Sequence, residues 1–441
     1  MDRKYSAEFR PLLTDRALQV LFSNRIEFAT KPAPSLYPHQ WNWDSAFIAM
    51  GLAHVDQPGA RRELKSLFRG QWRTGMIPHI LFDPEASKYF PGSDFWNCRC
   101  CPDAVTSVET SGITQPPILA WAAHQIYSVS DKSMAALEFL DSIFDYLSHY
   151  QQFFRQYRTV GDDGLVCIIH PWESGLDNSP CWDPVLENIE SAAELEYKRS
   201  DTRLVSDQER PTDRDHSRYA GLVELFRNNG YDQRAILKTS PFVVQPALFN
   251  TLLCIDLDAL IRIGSLLGRP TAESQEWRSQ LKNSLNDKLW DETAGFYGDF
   301  DLVNQCLIRQ NTIAGYLPLA GEIPDEQRAR RMITTIIDAS TFWPADGYPV
   351  TTVAMTAPEF DPVKYWRGPV WININWLLIR GLRAYGHNDS ARELTDRTVD
   401  LIENHGFYEY FNPFSGQGCG TDLFSWTAAL LIDLLAEVER R

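Results

Sequence analysis

An all-α architecture is the fold class predicted here: six helical hairpins closed into a double ring, an (α/α)6 barrel, with long active-site loops at one end. Three observations predict it. Apolar residues recur at helical spacing over most of the 441 residues, while strand-like alternation is scarce. The helical runs come in pairs joined by short turns containing Gly, Pro or Asn, as at Gly268-Arg269-Pro270 and Gly386-His387-Asn388. Between the pairs lie long segments too rich in Gly, Pro, aromatics and charge to be helical, and such ordered loops are uncommon unless they serve a function. No repeat of fixed period is present, which disfavours a regular solenoid array.

In chain order the periodicity predicts helices over Ser45–Leu52, Ala60–Phe68, Gln115–Ser128, Met134–Arg158, Ala220–Arg227, Pro246–Leu267, Ala272–Leu289, Glu326–Asp338, Val370–Tyr385, Asp389–Glu403 and Leu423–Glu439. Asp44 reads as the N-cap of the first, Gln115 as the start of the third, and Gly368-Pro369 as the start of the run at Val370, where a proline suits the first turn. The loop segments are Asp83–Gly112, Val160–Pro184, Lys198–Ser217, Thr341–Pro369 and Gly406–Asp422. The expectation is one catalytic domain spanning residues 1–441, with 83–112 and 198–217 as candidate lids.

Composition excludes several classes of partner. A net charge of −16 lacks the basic footprint that nucleic acid or an anionic membrane requires. The first residues lack the apolar stretch of a signal peptide, and no window of about 18 apolar residues offers a membrane span, so a soluble cytoplasmic protein is expected. Self-association into a homo-oligomer is left open. The eight cysteines are mostly scattered; Cys98 and Cys101 have C-x-x-C spacing but no second Cys or His pair at a metal-site interval, and read as unliganded loop thiols.

Two loop acids carry the chemistry. Asp177 lies in a Gly-Leu-Asp-Asn-Ser turn between Trp172 and Trp182; Glu409 lies among Phe407, Tyr408, Tyr410 and Phe411. Each has a plain structural reading, a turn aspartate and an outward-facing strand glutamate. Yet a pair of carboxylates in aromatic surroundings is what cleavage of a glycosidic bond requires, one protonated and the other ionised. Apolar flanks would raise the pKa of Asp177 and suit it to donate a proton, while Glu173 would orient it or bind a sugar hydroxyl. Tyr37, Trp41, Trp43 and Asp44, and again Tyr365, Trp366, Arg367 and Trp371, interleave stacking rings with polar groups, as a pyranose subsite does. Gln115 and His79 are weaker candidates. Five arginines between Lys198 and Arg218, Arg210 among them, could bring a guanidinium fork to a carboxylate. No D-x-D-D or D-D-x-x-D run supports carbocation chemistry in a helical terpene-cyclase ring.

Taken together, these motifs resemble the trehalase-like barrel glycosidases, and most of all glycoside hydrolase family 63 with its mannosylglycerate and glucosylglycerate hydrolases. The likeness runs from Tyr37 to Trp426. Trp172–Ser179 is similar to the family's E-S-G-x-D element and Phe407–Pro413 to its F-x-E-x-x-N-P element, which implies Asp177 as general acid and Glu409 as general base of an inverting α-glycosidase that needs no metal or organic cofactor. The resemblance also implies sugar-site positions at Tyr37, Trp41, Trp43, Asp44, Gln115, Gly175, Tyr365, Trp366 and Trp371, and a lid residue at Tyr89. Glycerate-binding groups would lie on the loop Arg210-Pro211-Thr212, where His216 stands in place of an expected tyrosine. The expected substrate is a small glycosyl-glycerate; the alternative is a neutral one such as glucosylglycerol, trehalose or kojibiose.

Overall fold

The computed structural model describes residues 9–86, 89–187, 189, 199 and 201–439. Its longer helices are α1 (Phe9–Ser23), α2 (Asn42–Leu52), α3 (Gln57–Leu67), α4 (Leu119–Ser128), α5 (Met134–Tyr157), α6 (Asp213–Asn228), α7 (Ala247–Leu267), α8 (Ala272–Ser284), α9 (Glu326–Ile336), α10 (Ile372–Ala384), α11 (Asn388–His405) and α12 (Ser425–Glu439). A 3-10 segment, Ile313–Gly321, has Pro318 inside it. The chain is mostly helical, as expected. Among the described residues no helix is long and apolar enough to cross a membrane.

Sequence decides which helices lie inside. Helix α2 is buried at every position, and α7 and α10 at most of theirs, because apolar or small residues surround them. Helix α9 buries only Ala329, Met332, Ile333 and Ile336, one stripe at helical spacing, and turns its charges outward. Packing follows this division. Helix α2 contacts α3, α4 and α12; α4 contacts α5 and α7; α7 contacts α5, α8 and Ile313–Gly321; that segment contacts α9 and α10; α10 contacts α11 and α12; α12 contacts α1 and α2.

Several element expectations are corrected. Helix α1 and the 3-10 segment were not anticipated, the second because an internal proline argues against a helix. Helix α6 begins at Asp213 rather than Ala220, since a capping box between Thr212 and Asp215 starts it within the charged run. Pro116 disfavours helical backbone at Gln115, which lies outside the helix, and α4 starts at Leu119. The N-cap of α2 is Trp41, leaving Asp44 in the first turn. Helix α10 starts at Ile372, because Val370 pairs with Phe411 instead.

Short antiparallel ladders punctuate the loops: β1 (Gln40–Trp41) with β2 (Ile80–Leu81), β3 (Val244–Gln245) with β6 (Asp299–Asp301) and β7 (Cys306–Ile308), β4 (Trp290–Asp291) with β5 (Phe296–Tyr297), and β8 (Tyr410–Phe411) with β9 (Gly418–Cys419). The register Trp41↔Ile80 seats Trp41 and His79 together, and the ladder Tyr410↔Cys419 holds the hairpin that begins at Glu409.

Close approach of α2 to α12 depends on Gly51. A Cβ there would come 2.2 Å from the Ala429 carbonyl oxygen, a backbone atom with no rotamer to yield. Gly51→Ala is therefore expected to lower stability by about 1–3 kcal/mol, as overpacking does, measured as a fall in the urea midpoint at unchanged slope.

Candidate active site

The Asp177 loop is braced from behind. Gly175 has φ +73°, and a Cβ there would lie 2.5 Å from the Trp43 ring, so only glycine lets the turn cross that indole. The Tyr219 hydroxyl donates to the Asp177 carbonyl at 2.8 Å, and Trp182 Nε1 donates to the Leu176 carbonyl at 2.8 Å. Arg158 forks Glu173 with two 2.7 Å bonds, and the amides of Thr114 and Ile169 donate to the same carboxylate. Arg367 forks Asp183 and donates to Asn178 Oδ1 at 3.2 Å. Glu173 was expected to orient Asp177 or bind a sugar hydroxyl, and Arg367 to belong to a sugar subsite; both lie outside the pocket lining, Glu173 bonded to Arg158 and two backbone amides and Arg367 to Asn178 and Asp183 of the Asp177 loop.

Glu409 is carried by the β8–β9 hairpin, its amide donating to the Thr421 carbonyl at 2.9 Å. Its side chain turns inward and is 1% exposed, unlike an outward-facing strand glutamate. The Tyr37 hydroxyl donates to Oε1 at 2.7 Å, while Arg210 Nη1 lies 3.4 Å from Oε2 and Nη2 donates to the Tyr37 hydroxyl at 2.8 Å. The same guanidinium stacks 4.3 Å from the Tyr365 ring centroid, and the Tyr365 hydroxyl donates to Asp177 Oδ2 over 3.5 Å. One chain of contacts, Glu409–Arg210–Tyr365–Asp177, thus joins acids 232 positions apart in the numbering.

Both acids line one pocket with Tyr37, Trp41, Trp43, Asp44, His79, Tyr89, Gln115, Gly175, Arg210, Tyr365, Trp366 and Trp371. Many of the lining residues are aromatic: Trp366 and Trp371 stack at 3.7 Å, and Trp41 meets Tyr37 and Tyr89 edge-on. Gln115 accepts from the Trp43 amide through its carbonyl oxygen at 3.1 Å. His79 pairs with Ser111 Oγ at 2.9 Å and stacks on Trp172. Burial holds its imidazole well below the usual histidine range, and it stays neutral.

Residues outside the anticipated set also line the pocket, among them Trp172, Asp201, His216, Phe424 and Trp426. Trp426 sits in an apolar helix, where its sequence context is indistinguishable from core. Asp201 is held by a fork from Arg199, by Arg210 Nε at 3.4 Å and by His216 at 3.7 Å; its signal was the density of arginines around it. Of the two loops read as lids, 83–112 brings Tyr89, Phe90 and Pro91 to the pocket, and the second brings Asp201, Arg210, Pro211 and His216. Ser87, Lys88, Lys198 and Ser200 lie outside the described residues.

Electrostatics separate the acids. Burial pushes Asp177 up to about 7, with Arg210 opposing and Glu409 adding to the rise. Burial also raises Glu409, but Arg210, the Tyr37 hydroxyl and the Thr421 amide all favour its ionised form. Asp44, without a cation in contact, is driven well above the carboxylate range by burial, and both other acids add to this. The arrangement sets two carboxyls of unequal proton affinity in one aromatic-lined pocket. Among the described residues no group of three or more His, Cys, Asp or Glu side chains could hold a metal ion.

A pocket that brings two buried carboxyls with unequal partners together among aromatic rings, on a helical scaffold, fits a glycoside hydrolase. The chain belongs to the family described as the mannosylglycerate hydrolase MGH1-like glycoside hydrolase domain, whose model matches residues 37–427. It is 42% identical over 428 residues to a mannosylglycerate hydrolase of Rubrobacter radiotolerans, covering 96% of this chain and 97% of that protein. A glucosylglycerate hydrolase of Mycolicibacterium hassiacum is 32% identical, covering 96% and 97%. Among solved structures, the family 63 mannosylglycerate hydrolase of Thermus thermophilus in complex with Tris and D-glycerate superposes with a TM-score of 0.90 at 40% identity, covering 95% of this chain and 99% of that one.

The buried Glu173–Arg158 pair yields a stability prediction. Glu173→Gln leaves a guanidinium buried without its charge partner and is expected to destabilise by about 3–5 kcal/mol, read from urea unfolding.

Proposed function

We propose that this chain is an inverting α-glycosidase that splits a hexosyl-glycerate, mannosylglycerate or glucosylglycerate, into hexose and glycerate within one (α/α)6-barrel domain. Supporting the double ring is the packing order, which runs α2, α4, α7, Ile313–Gly321, α10, α12 and back to α2, each also contacting the helix next to it in the chain or, for α12, α1. The observation that carries the activity is the joint presence of Asp177 and Glu409 on one pocket, Asp177 pushed up to about 7 and Glu409 held against Arg210 and Tyr37. The names of the relatives, and the D-glycerate in the Thermus thermophilus structure, support the choice of aglycone.

In this reading Asp177, protonated, gives its proton to the glycosidic oxygen as the C1–O bond breaks. Glu409, ionised, takes a proton from a water that attacks C1 on the opposite ring face, with the two carboxyls about 6.5–9.5 Å apart to admit that water. Asp177 ends ionised and Glu409 protonated, and proton exchange with solvent restores both. Tyr37 holds the Glu409 carboxylate in orientation. Trp41, Trp43, Trp366 and Trp371 take the sugar faces, and Asp44 and Gln115 its hydroxyls. Within a strongly acidic chain, Arg210 sets a guanidinium on the pocket lining to receive the glycerate carboxylate.

Asp177→Asn is expected to lower kcat by at least about 100-fold with little change in unfolding midpoint. The wild-type kcat/KM profile should be bell-shaped. Its basic limb falls as pH rises through about 7, where Asp177 loses its proton, and its acidic limb falls as pH drops through the raised pKa of Glu409. Proton NMR of fresh hydrolysate should show the β-anomer first; an initial α-anomer refutes inversion.

Assay of mannosylglycerate, glucosylglycerate, glucosylglycerol, trehalose and kojibiose should show one dominant anionic substrate. Arg210→Ala should raise KM for that substrate by more than it does for any neutral one, and equal effects would refute the carboxylate clamp.

A further inference from the structure

We infer that Glu209 is a positioning residue for the base: it clamps the segment carrying Arg210 onto the hairpin carrying Glu409, and so keeps the guanidinium at that carboxylate. Glu209 is half-buried and contributes nothing to the pocket lining. It makes two ties to the same hairpin. Its carboxylate Oε2 accepts from the Gly420 amide at 2.7 Å, and its backbone carbonyl accepts from the Tyr410 hydroxyl at 2.9 Å.

Both partners flank the base. Tyr410 follows Glu409 directly in the chain, and Gly420 lies so close that a Cβ there would come 2.3 Å from Glu409 Oε2. Gly420 also has φ +71°, which aims its amide out of the hairpin at little steric cost only because it is glycine. Arg210 is the next residue after Glu209, so two ties on Glu209 set where the Arg210 backbone starts. The guanidinium then reaches Glu409 over a contact of only 3.4 Å, long for an ion pair, with Tyr37 and Asp201 as its further partners. A contact that long depends on the backbone being held.

The inference rests on the reading of Glu409 as the base, and the pH profile tests it. The charged and titratable groups facing Glu409 are Arg210, Tyr37, Asp44, Tyr89, Asp177, Tyr365, Tyr410 and Cys419, with the Thr421 amide. Arg210 carries the positive charge among them and favours ionisation of both Glu409 and Asp177. Retreat of Arg210 therefore moves both limbs of the profile to higher pH. Loss of the Glu209 charge without movement would do the opposite, since removing an anion favours ionisation of neighbouring acids.

The experiment compares full-length wild type, Glu209→Ala, Glu209→Gln and Tyr410→Phe, by kcat/KM against pH on glucosylglycerate and mannosylglycerate. Circular dichroism confirms folding of each variant. Glu209→Ala is expected to shift both limbs upward by about one unit, the size of effect an opposite charge at 4–6 Å exerts. Glu209→Gln keeps an oxygen for the Gly420 amide but loses the charge, so its limbs should stay in place or move slightly downward, and Tyr410→Phe should shift them upward by less than the alanine change. Limbs that stay in place or move downward in Glu209→Ala overturn the clamp. If that variant does not fold, Tyr410→Phe decides by the same sign. A wild-type profile with no acidic limb refutes the base reading itself, whereas an acidic limb that ignores Glu209 refutes only the clamp.

Discussion

The Arg210 guanidinium, set between the Glu409 carboxylate and the Tyr365 ring, is the contact on which the pocket depends. Two carboxylates buried in one aromatic enclosure would both be driven neutral, because each loses its water and repels the other's charge. One cation placed nearer the second breaks that symmetry. Glu409 touches Arg210 and Tyr37, while Asp177 receives a long contact from Tyr365 and is pushed up to about 7. Two residues of similar intrinsic acidity thus come to differ in proton affinity.

Holding that asymmetry requires rigid backing, and much of the polar chemistry around the pocket supplies it. The Arg158–Glu173 and Arg367–Asp183 forks lie behind the Asp177 loop, and the Arg199–Asp201 fork lies behind Arg210. Each uses planar, bidentate geometry to anchor a segment that has little regular secondary structure. The helices in turn anchor the loops: Trp43 comes from α2 and Tyr219 from α6, and Val370, just before α10, pairs with Phe411 of the Glu409 hairpin. These braces fix the positions of the two acids relative to each other.

The loop elements around Asp177 and Glu409 were legible because aromatic residues around an acid are poor choices for a solvated turn. Helical pairing was legible too, since 3.6-residue periodicity depends only on neighbours along the chain. The proline-interrupted Ile313–Gly321 was missed because tertiary packing overrides a local breaker, and α6 was read too short because its first turns are charged rather than apolar. Glu173 and Arg367 have the residue types of ligand-binding groups, and nothing in their local sequence distinguishes a brace from a ligand contact.

By itself, the sequence determined the helical class and the aromatic character of the loops around Asp177 and Glu409, which follow from residue type and short-range spacing. Tertiary structure decided which polar groups face the pocket and which are spent behind it. It also brought Asp201, Trp426 and the Arg210 bridge to the site, because these depend on approach between segments about two hundred positions apart, where side-chain chemistry carries no record of its partner. Burial and the placement of one cation, neither of them a local property, then set the unequal proton affinities of Asp177 and Glu409.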